Sequence, residues 1–344
     1  MGILIAILFF GLVVFVHEFG HFITARMCKV EVTEFAIGMG PAIFKHTSKK
    51  SGTLYSIRLL PIGGYTAMLG EDEVVEGKNA LCNRPRIQRF FVMVAGSVMN
   101  IILGIVIMFI FVAQSNTYYS NTVRGFVQGA PSYSAGLRSG DKILKINGTP
   151  ISVYTDITST IVLDGTEPLD FTVERSGQEI VIENIQFEVK TEKGMSYGVI
   201  DFGLEQMTPS VKLLFSQSVK QSFSTIKIIY KSFIKLITGQ YGFESVSGPV
   251  GIIDQLGQVA ESGSETAFLE LLYLFVFITM NLGVFNLLPI PALDGSKILF
   301  LIIEAIRRKP VPAKYENMVH YCGMAVLLLF MAVVTVIDVL RIVS

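Results

Sequence analysis

His17, Glu18 and His21 are the residues with the most chemistry to offer. They stand together as His17-Glu18-Phe19-Gly20-His21, at the end of an uncharged run over residues 2–16. Two histidines four apart on a helix project from nearly the same face, so both imidazoles can hold one Zn²⁺. Glu18 can take a proton from a water at that metal, which is the chemistry of metal-assisted hydrolysis. Three ionisable groups in an apolar helix are costly unless they serve one another or a metal, so the setting strengthens the pattern. A site of this kind needs a third protein ligand. Asp294 is the candidate. It closes an apolar run in the string N-L-L-P-I-P-A-L-D-G at 286–295, where Pro289 and Pro291 break the helix and a carboxylate can face a cavity. The alternative for Asp294 is a helix-end carboxylate in headgroup water. Asn281 and Asn286, amides in the same apolar run, can bond a substrate backbone or the opened helix.

The elements that must position these residues are membrane spans. The chain has 344 residues, 51% hydrophobic and 16% charged, too few charges for a soluble domain of this size. Apolar segments cover 2–27, 90–113, 271–293 and 321–337, each close to the length a spanning helix needs. The first has no basic leader and no small-residue cleavage site, so it reads as a span and not as a removable signal. Net charge is zero, which gives no nucleic-acid footprint. Cys28, Cys82 and Cys322 are widely spaced and read as free thiols. Tryptophan is absent, so interfacial anchoring falls to tyrosine and the basic residues. His46 and His320 carry no motif and read as loop and helix-end residues.

Short basic loops orient the chain. Ten Lys or Arg lie from Arg26 to Arg89, and Arg307, Arg308, Lys309 and Lys314 fall between the third and fourth segments, so both loops are expected in the cytoplasm. The long segment from Ser115 to about Phe268 and both termini are then extracytoplasmic. Helix one reaches His17 after roughly 22 Å of rise, and helix three reaches Asp294 after roughly 35 Å. Both polar sites fall in the inner half of the membrane, where they can meet.

Between the spans, residues 35–41 and 53–59 look like strands separated by Gly and Pro, and 61–65 is a turn signal. Either a hairpin dips into the cytoplasmic face of the bilayer, or it is a plain cytosolic hairpin. Residues 125 to about 205 read as a small β domain, with a short helix over 152–162 and a hairpin over 169–183 around Ser176-Gly177. Its string A-G-L-R-S-G-D-K-I-L-K-I-N-G at 135–148 resembles a PDZ domain of the bacterial, protease-associated kind. Such a domain takes an extended peptide by strand addition or acts as a steric filter. Over 210–237, Val211, Leu214, Phe215, Val219, Ile226, Ile229, Tyr230, Phe233 and Ile237 mark an apolar stripe beside five lysines. That helix lies on the outer membrane surface or packs on the β domain.

Taken together, the chain resembles the site-2 proteases, intramembrane zinc metalloproteases of bacteria, here with a single PDZ domain. The resemblance is carried by H-E-F-G-H at 17–21, F-A-I-G-M-G-P at 35–41, Y-S-I-R-L-L-P-I-G-G-Y at 55–65, the PDZ string, S-G-P-V-G-I at 247–252 and the string at 286–295, in family order along nearly the whole chain. It implies His17, His21 and Asp294 as zinc ligands and Glu18 as catalytic base. It also implies substrate binding at Asn286 and at Tyr55, Ile57, Gly63 and Gly64 of a membrane-reentrant β-loop. Two departures are visible. Gly96-Ser97 stands where relatives often have Gly-Pro before the helix-two Asn100, and Lys297 stands where some carry His.

The fold class expected is a membrane protein, mainly α, with four transmembrane helices, a membrane-associated β-hairpin and an inserted β-rich domain. The expected boundaries are a first span at 1–27, a cytoplasmic-side region at 28–89, a second span at 90–114 and the extracytoplasmic domain at 115–208. An amphipathic helix and linker at 209–267, a third span at 268–306, a cytoplasmic loop at 307–318 and a fourth span at 319–344 complete the chain. The resemblance implies a multi-pass protein of the bacterial inner membrane whose cofactor is Zn²⁺. Its partners would be single-span proteins such as anti-sigma factors, remnant signal peptides, a site-1 protease acting upstream, and membrane lipid. Two other classes remain open at this point. A non-enzymatic adaptor with a structural metal or none would not need Glu18 between its histidines. A transporter fits the broken third helix but lacks visible internal repeats.

Overall fold

A computed structural model describes residues 2–71, 73–115, 117–192, 195–242 and 246–343. The chain divides into two compact units, residues 1–107 with 247–344, and residues 108–246. Among the described residues, four helices are long and apolar enough to cross a membrane, Gly2–Met27, Arg86–Gln114, Ala267–Leu287 and Ala313–Val343.

The first unit begins with α1, Gly2–Met27, whose buried residues are Gly2, Ala6, Phe9, Val13, His17, Gly20, His21 and Ala25. That spacing is one face of a helix, so both histidines project toward the interior of the unit and away from lipid. Two long strands follow, β1 (Val32–Thr47) and β2 (Leu54–Met68). They are not the plain hairpin expected. β1 pairs with β2 in two laps: Val32 to Ile37 face Met68 to Gly64, while Ala42 to Thr47 face Arg58 to Leu54. Glu34 to Ile37 also face Leu54 to Ile57, with numbers rising together, so this inner contact runs in parallel. The strands can fold back because Gly38, Gly40 and Gly63 sit at φ +88°, +86° and +85°, which a side chain would resist. His46 lies within β1 opposite Tyr55 and is a strand residue, not a loop residue. The base of the sheet rests on a cluster of Ala25, Val30, Val32, Met68, Leu81, Val92, Met93 and Leu301. Its bent end exposes Ile37, Met39, Ile43, Phe44, Ile57, Leu59 and Leu60.

Helix α2, Arg86–Gln114, starts four residues before the expected span, directly after Pro85, a residue suited to a helix start. The second unit opens with its last turns. Strand β3 (Tyr118–Phe126), helix α3 (Pro131–Ser134), strands β4 (Lys142–Ile146) and β5 (Thr149–Pro150), and helix α4 (Tyr154–Asp164) come first. Strands β6 (Leu169–Arg175), β7 (Gln178–Ile185), β8 (Glu188–Glu192), β9 (Met195–Val199) and β10 (Phe202–Met207) follow. The main sheet has the order β10-β3-β4-β6-β7 with β5 beside β4, and β8 pairs with β9. Leu137, Ile143, Ile146, Ile157, Ile161, Leu169, Phe171, Val173 and Ile185 are fully buried in its core. Asp141, also without exposure, receives Arg175 through Nε at 2.6 Å and Nη2 at 2.7 Å, and the Arg138 amide at 2.8 Å. Helix α5, Val211–Ile237, carries the expected apolar stripe, of which Ile229 is buried. It buries Gln217, Ser218, Gln221, Ser222, Ser224 and Thr225, and exposes Val211, Phe215, Val219, Phe223, Ile234 and Ile237. Small polar residues permit close helix approach, and Thr155 on α4 bonds Ser224 at 3.1 Å.

The first unit resumes with α6, Pro249–Glu261, a helix where a linker is expected from the sequence. Pro249 occupies its first turn, and the carboxylate of Asp338 accepts from Gly251 N at 2.8 Å. Helix α7, Ala267–Leu287, is the third apolar span. The expected span to 306 is two helices, because Pro289 and Pro291 lack backbone donors and stop α7 before α8 (Asp294–Arg307) begins. Helix α9, Ala313–Val343, carries Asp338 and ends the described chain. Cys28, Cys82 and Cys322 are free thiols.

Candidate metal centre

Two short approaches bring the polar residues of the first unit together. Gly20, the fourth residue of the pentad, faces α2 so closely that a Cβ there would lie 2.5 Å from the Ala95 carbonyl oxygen. Further along, a Cβ on Gly283 of α7 would lie 3.0 Å from the Ser97 carbonyl oxygen. Small residues let apolar helices pack backbone to backbone. The break at 288–293 then turns the chain, and Asp294 opens α8 in its first turn. Helix α8 is tied down by Glu304, which takes Arg86 at 3.0 Å and Arg89 at 2.8 Å, and by Lys297, which reaches Glu71 at 2.7 Å.

Asp294 Oδ2 lies 3.1 Å from His17 Nε2 and 3.3 Å from His21 Nε2, and the two nitrogens are 3.3 Å apart. Both histidines are buried at 8% exposure. Three ligands at about 2.0–2.1 Å from one tetrahedral ion stand about 3.3 Å from one another, so the triangle has the size zinc requires. Asp294 Oδ2 is buried and, among the described residues, makes no hydrogen bond despite its two close nitrogens. That is the arrangement of donors aimed at a shared point. The donor set of two imidazoles and a carboxylate suits Zn²⁺ and leaves a fourth position open.

One face of α2 serves this triangle. His21 Nδ1 stands 2.8 Å from the Val92 carbonyl oxygen, which fixes the ring. The Asn100 side chain lies 3.3 Å from His17 Nδ1. Between them, a Cβ on Gly96 would lie 2.7 Å from His17 Nε2 and closer still to His21 Nε2. Gly96 and Asn100 entered the sequence reading only as a departure in helix two. A buried asparagine in an apolar span was a visible signal, whereas the need for a glycine at 96 required the coordinates.

Glu18 follows His17 on α1 and turns to the sheet. The end of β2 runs past it: Thr66 Oγ1 donates to the Glu18 carbonyl at 3.0 Å, and a Cβ on Gly64 would lie 3.5 Å from Glu18 Cγ. Gly63 is the bend residue packed on Met39. Tyr55 meets Phe22 and Phe35 edge-on, with ring centroids 6.0 Å and 6.4 Å away. Ile57 lies at the exposed end of the sheet, and Asn286 is buried in the last turn of α7. The structure thus gathers His17, His21 and Asp294, sets Gly64 beside Glu18, places Tyr55 beside Phe22 and Phe35, and leaves Ile57 exposed.

Within the sheet, Glu34 holds Arg58 at 2.8 Å and Ser56 at 2.7 Å, and Arg58 also bonds Tyr65. Burial works against the ionised Glu34, but the hydrogen bonds from Tyr65, Arg58 and Ser56 outweigh it and hold its carboxyl below the usual range. Burial, with the carboxylate of Glu34 beside it, pushes Tyr65 up to about 12.

The sequence pattern of Peptidase family M50 matches residues 5–330. A chain of Clostridium perfringens, named by inference as a zinc metalloprotease, is 37% identical over 345 residues and covers 99% of both chains. A zinc metalloprotease RasP of Geobacillus kaustophilus is 33% identical, with 96% of this chain and 95% of that one aligned. The regulator of sigma-W protease RasP of Bacillus subtilis is 32% identical over 97% of each chain.

Proposed function

The chain belongs to peptidase family M50 and is a zinc metalloprotease of the membrane, and from that premise we propose that it hydrolyses peptide bonds within the transmembrane segments of single-span proteins. The observation that carries this reading is the convergence of His17, His21 and Asp294 on one point between apolar helices. These three residues hold the zinc. When bound, zinc supplies Lewis acidity to the scissile carbonyl and to the attacking water. Glu18 takes the proton of that water and passes it to the leaving amine.

A peptide bond in a helix is occupied by its own hydrogen bonds, so a membrane substrate must be locally unwound before it is cut. The edge of β2 at Gly64 to Met68, next to Glu18, offers backbone groups that replace those bonds by strand pairing. Gly63 and Gly64 keep that edge clear of side chains, and Asn286 holds the substrate strand from α7. The exposed apolar end of the sheet, with Ile43, Phe44 and Leu59, supports insertion of this loop into the bilayer.

The positive-inside pattern supports a multi-pass protein of the bacterial inner membrane with both termini extracytoplasmic, and water entry from the cytoplasmic side. The β-rich unit carries the string read as a PDZ domain and acts on substrates or excludes bulky ones. The apolar face of α5 contacts lipid. The Bacillus subtilis relative is a regulator of sigma-W protease, which favours anti-sigma factors as substrates here, with remnant signal peptides as a second class and a site-1 protease acting first.

The test is Glu18→Gln in purified protein. It is expected to retain zinc and lose cleavage of a single-span substrate. Undiminished cleavage by this variant would remove Glu18 from the mechanism and the proposal with it.

A further inference from the structure

His17 and His21 face the shared point through Nε2, and both turn Nδ1 toward α2. A neutral imidazole that gives Nε2 to a metal carries its proton on Nδ1, and that N–H needs an acceptor. For His21 the acceptor is the Val92 carbonyl, at 2.8 Å. Eight residues along the same helix, Asn100 occupies the matching place for His17. Asn100 has no exposure to solvent, so water cannot substitute for it.

The amide as placed brings Asn100 Nδ2 to 3.3 Å from His17 Nδ1, while Oδ1 is buried and, among the described residues, has no partner. With zinc on Nε2, that arrangement sets one donor against another. The amide's nitrogen and oxygen are told apart by their hydrogen bonds alone. Turning the amide over puts Oδ1 on the ring N–H and removes the conflict. We infer that Asn100 is the positioning residue for His17, accepting its Nδ1–H through Oδ1 so that Nε2 is offered to zinc. The inference rests on His17, His21 and Asp294 being the ligands. Outer partners of metal-bound histidines fix the ring's tautomer and orientation, and losing one typically costs 10–100-fold in metal affinity.

The test compares Asn100→Leu, Asn100→Asp, His17→Ala and wild type in the full chain. It uses chelator competition for zinc and the visible spectrum of the cobalt(II)-loaded protein, with a melting curve for each variant. Asn100→Leu keeps the size of the side chain and removes the acceptor. It is expected to bind zinc about 10–100-fold more weakly and to shift the cobalt bands. Asn100→Asp restores an acceptor oxygen and is expected to recover zinc affinity to within about threefold, which a packing role alone would not produce. His17→Ala is expected to lose tight zinc binding outright. If Asn100→Leu does not accumulate in the membrane, Asn100→Ala takes its place. Wild-type zinc affinity and cobalt spectrum in the Leu or Ala variant, with binding lost in His17→Ala, would overturn the role of Asn100 and leave the ligands standing. Failure of Asp to rescue a folded protein would overturn it equally. Full zinc binding by His17→Ala would instead overturn the ligand assignment on which the inference rests.

Discussion

Gly96→Ala puts one methyl group at the point where the ligand nitrogens converge. Gly96 is buried on the face of α2 turned to α1, and the added Cβ would lie 2.7 Å from His17 Nε2, 0.7 Å short of the 3.4 Å at which ordinary contact begins. His21 Nε2 is nearer still, so both rings, or the helix itself, must retreat by most of an ångström. Metal–ligand distances tolerate about 0.2 Å, so the displacement exceeds the tolerance several-fold. Alanine is a better helix former than glycine by up to about 1 kcal/mol, which offsets part of the about 1–3 kcal/mol of overpacking and argues against simple melting of α2. Zinc affinity is expected to fall at least about 100-fold, the upper range for outer-partner losses, because here the ligands themselves move. A 100-fold fall in kcat/KM corresponds to about 2.7 kcal/mol of lost transition-state stabilisation. The assay is zinc content and chelator competition on purified protein, beside Gly104→Ala as a control. In the control the same methyl on the same helix meets Met280 Cγ at 2.5 Å, crowding of similar size directed at α7 and not at the ligand rings, and zinc binding should be retained. A Gly96→Ala protein with one tightly held zinc and wild-type cleavage would refute the geometry.

Two further outcomes can be checked. Asp141→Ala removes the buried acceptor of Arg175 and of the Arg138 amide and should destabilise the β-rich unit by about 1–3 kcal/mol, read in the full chain as faster hydrogen exchange in β4 and β6 while α1 and α2 are unaffected. Glu34 has a folded pKa below its unfolded value, near 4.3, so its contribution is complete above that pH and is lost as pH falls through the depressed folded value. Protection of residues 32–68 should therefore drop below about pH 4 in the wild type and change far less with pH in Glu34→Gln, whose sheet is weaker at neutral pH by on the order of 1.5–3 kcal/mol. Equal pH dependence in both proteins would remove Glu34 as its source.

What the sequence made legible depended on whether a residue's meaning was local. The pentad could be read because i and i+4 on a helix share a face whatever surrounds it, and Asp294 because two prolines mark a break by their own covalent structure. The four apolar helices followed from composition and length. The two laps of β1 and β2 were not legible, since glycines at 38, 40 and 63 permit a bend but only tertiary pairing decides that the strand folds back. Helix α6 was not legible because thirteen residues that open with Pro249 after Ser-Gly read equally as linker, and its N-terminus is completed by Asp338, nearly ninety residues away. The apolar stripe of α5 was legible from its periodicity, which identifies a stripe without saying which side meets protein. Gly96 looked like any small residue in an apolar helix, and its role follows from two histidines about eighty residues earlier in the chain.

The three donors that meet in space are far apart in time of synthesis. His17 and His21 are made almost at the start of the chain, and Asp294 follows 273 residues after His21. At about 5–20 residues per second, about 14–55 s separate them. During that interval the nascent protein holds two imidazoles and a carboxylate base in a helix with no third ligand to close the site. On the proposed ligand set, a ribosome-bound fragment would hold the metal weakly at best, and the site would be incomplete until the third apolar helix and the turn behind it have been delivered. On that ligand set, a protease of the membrane would be inert while it is threaded into that same membrane. Truncated products that end before residue 294 are inert for the same reason.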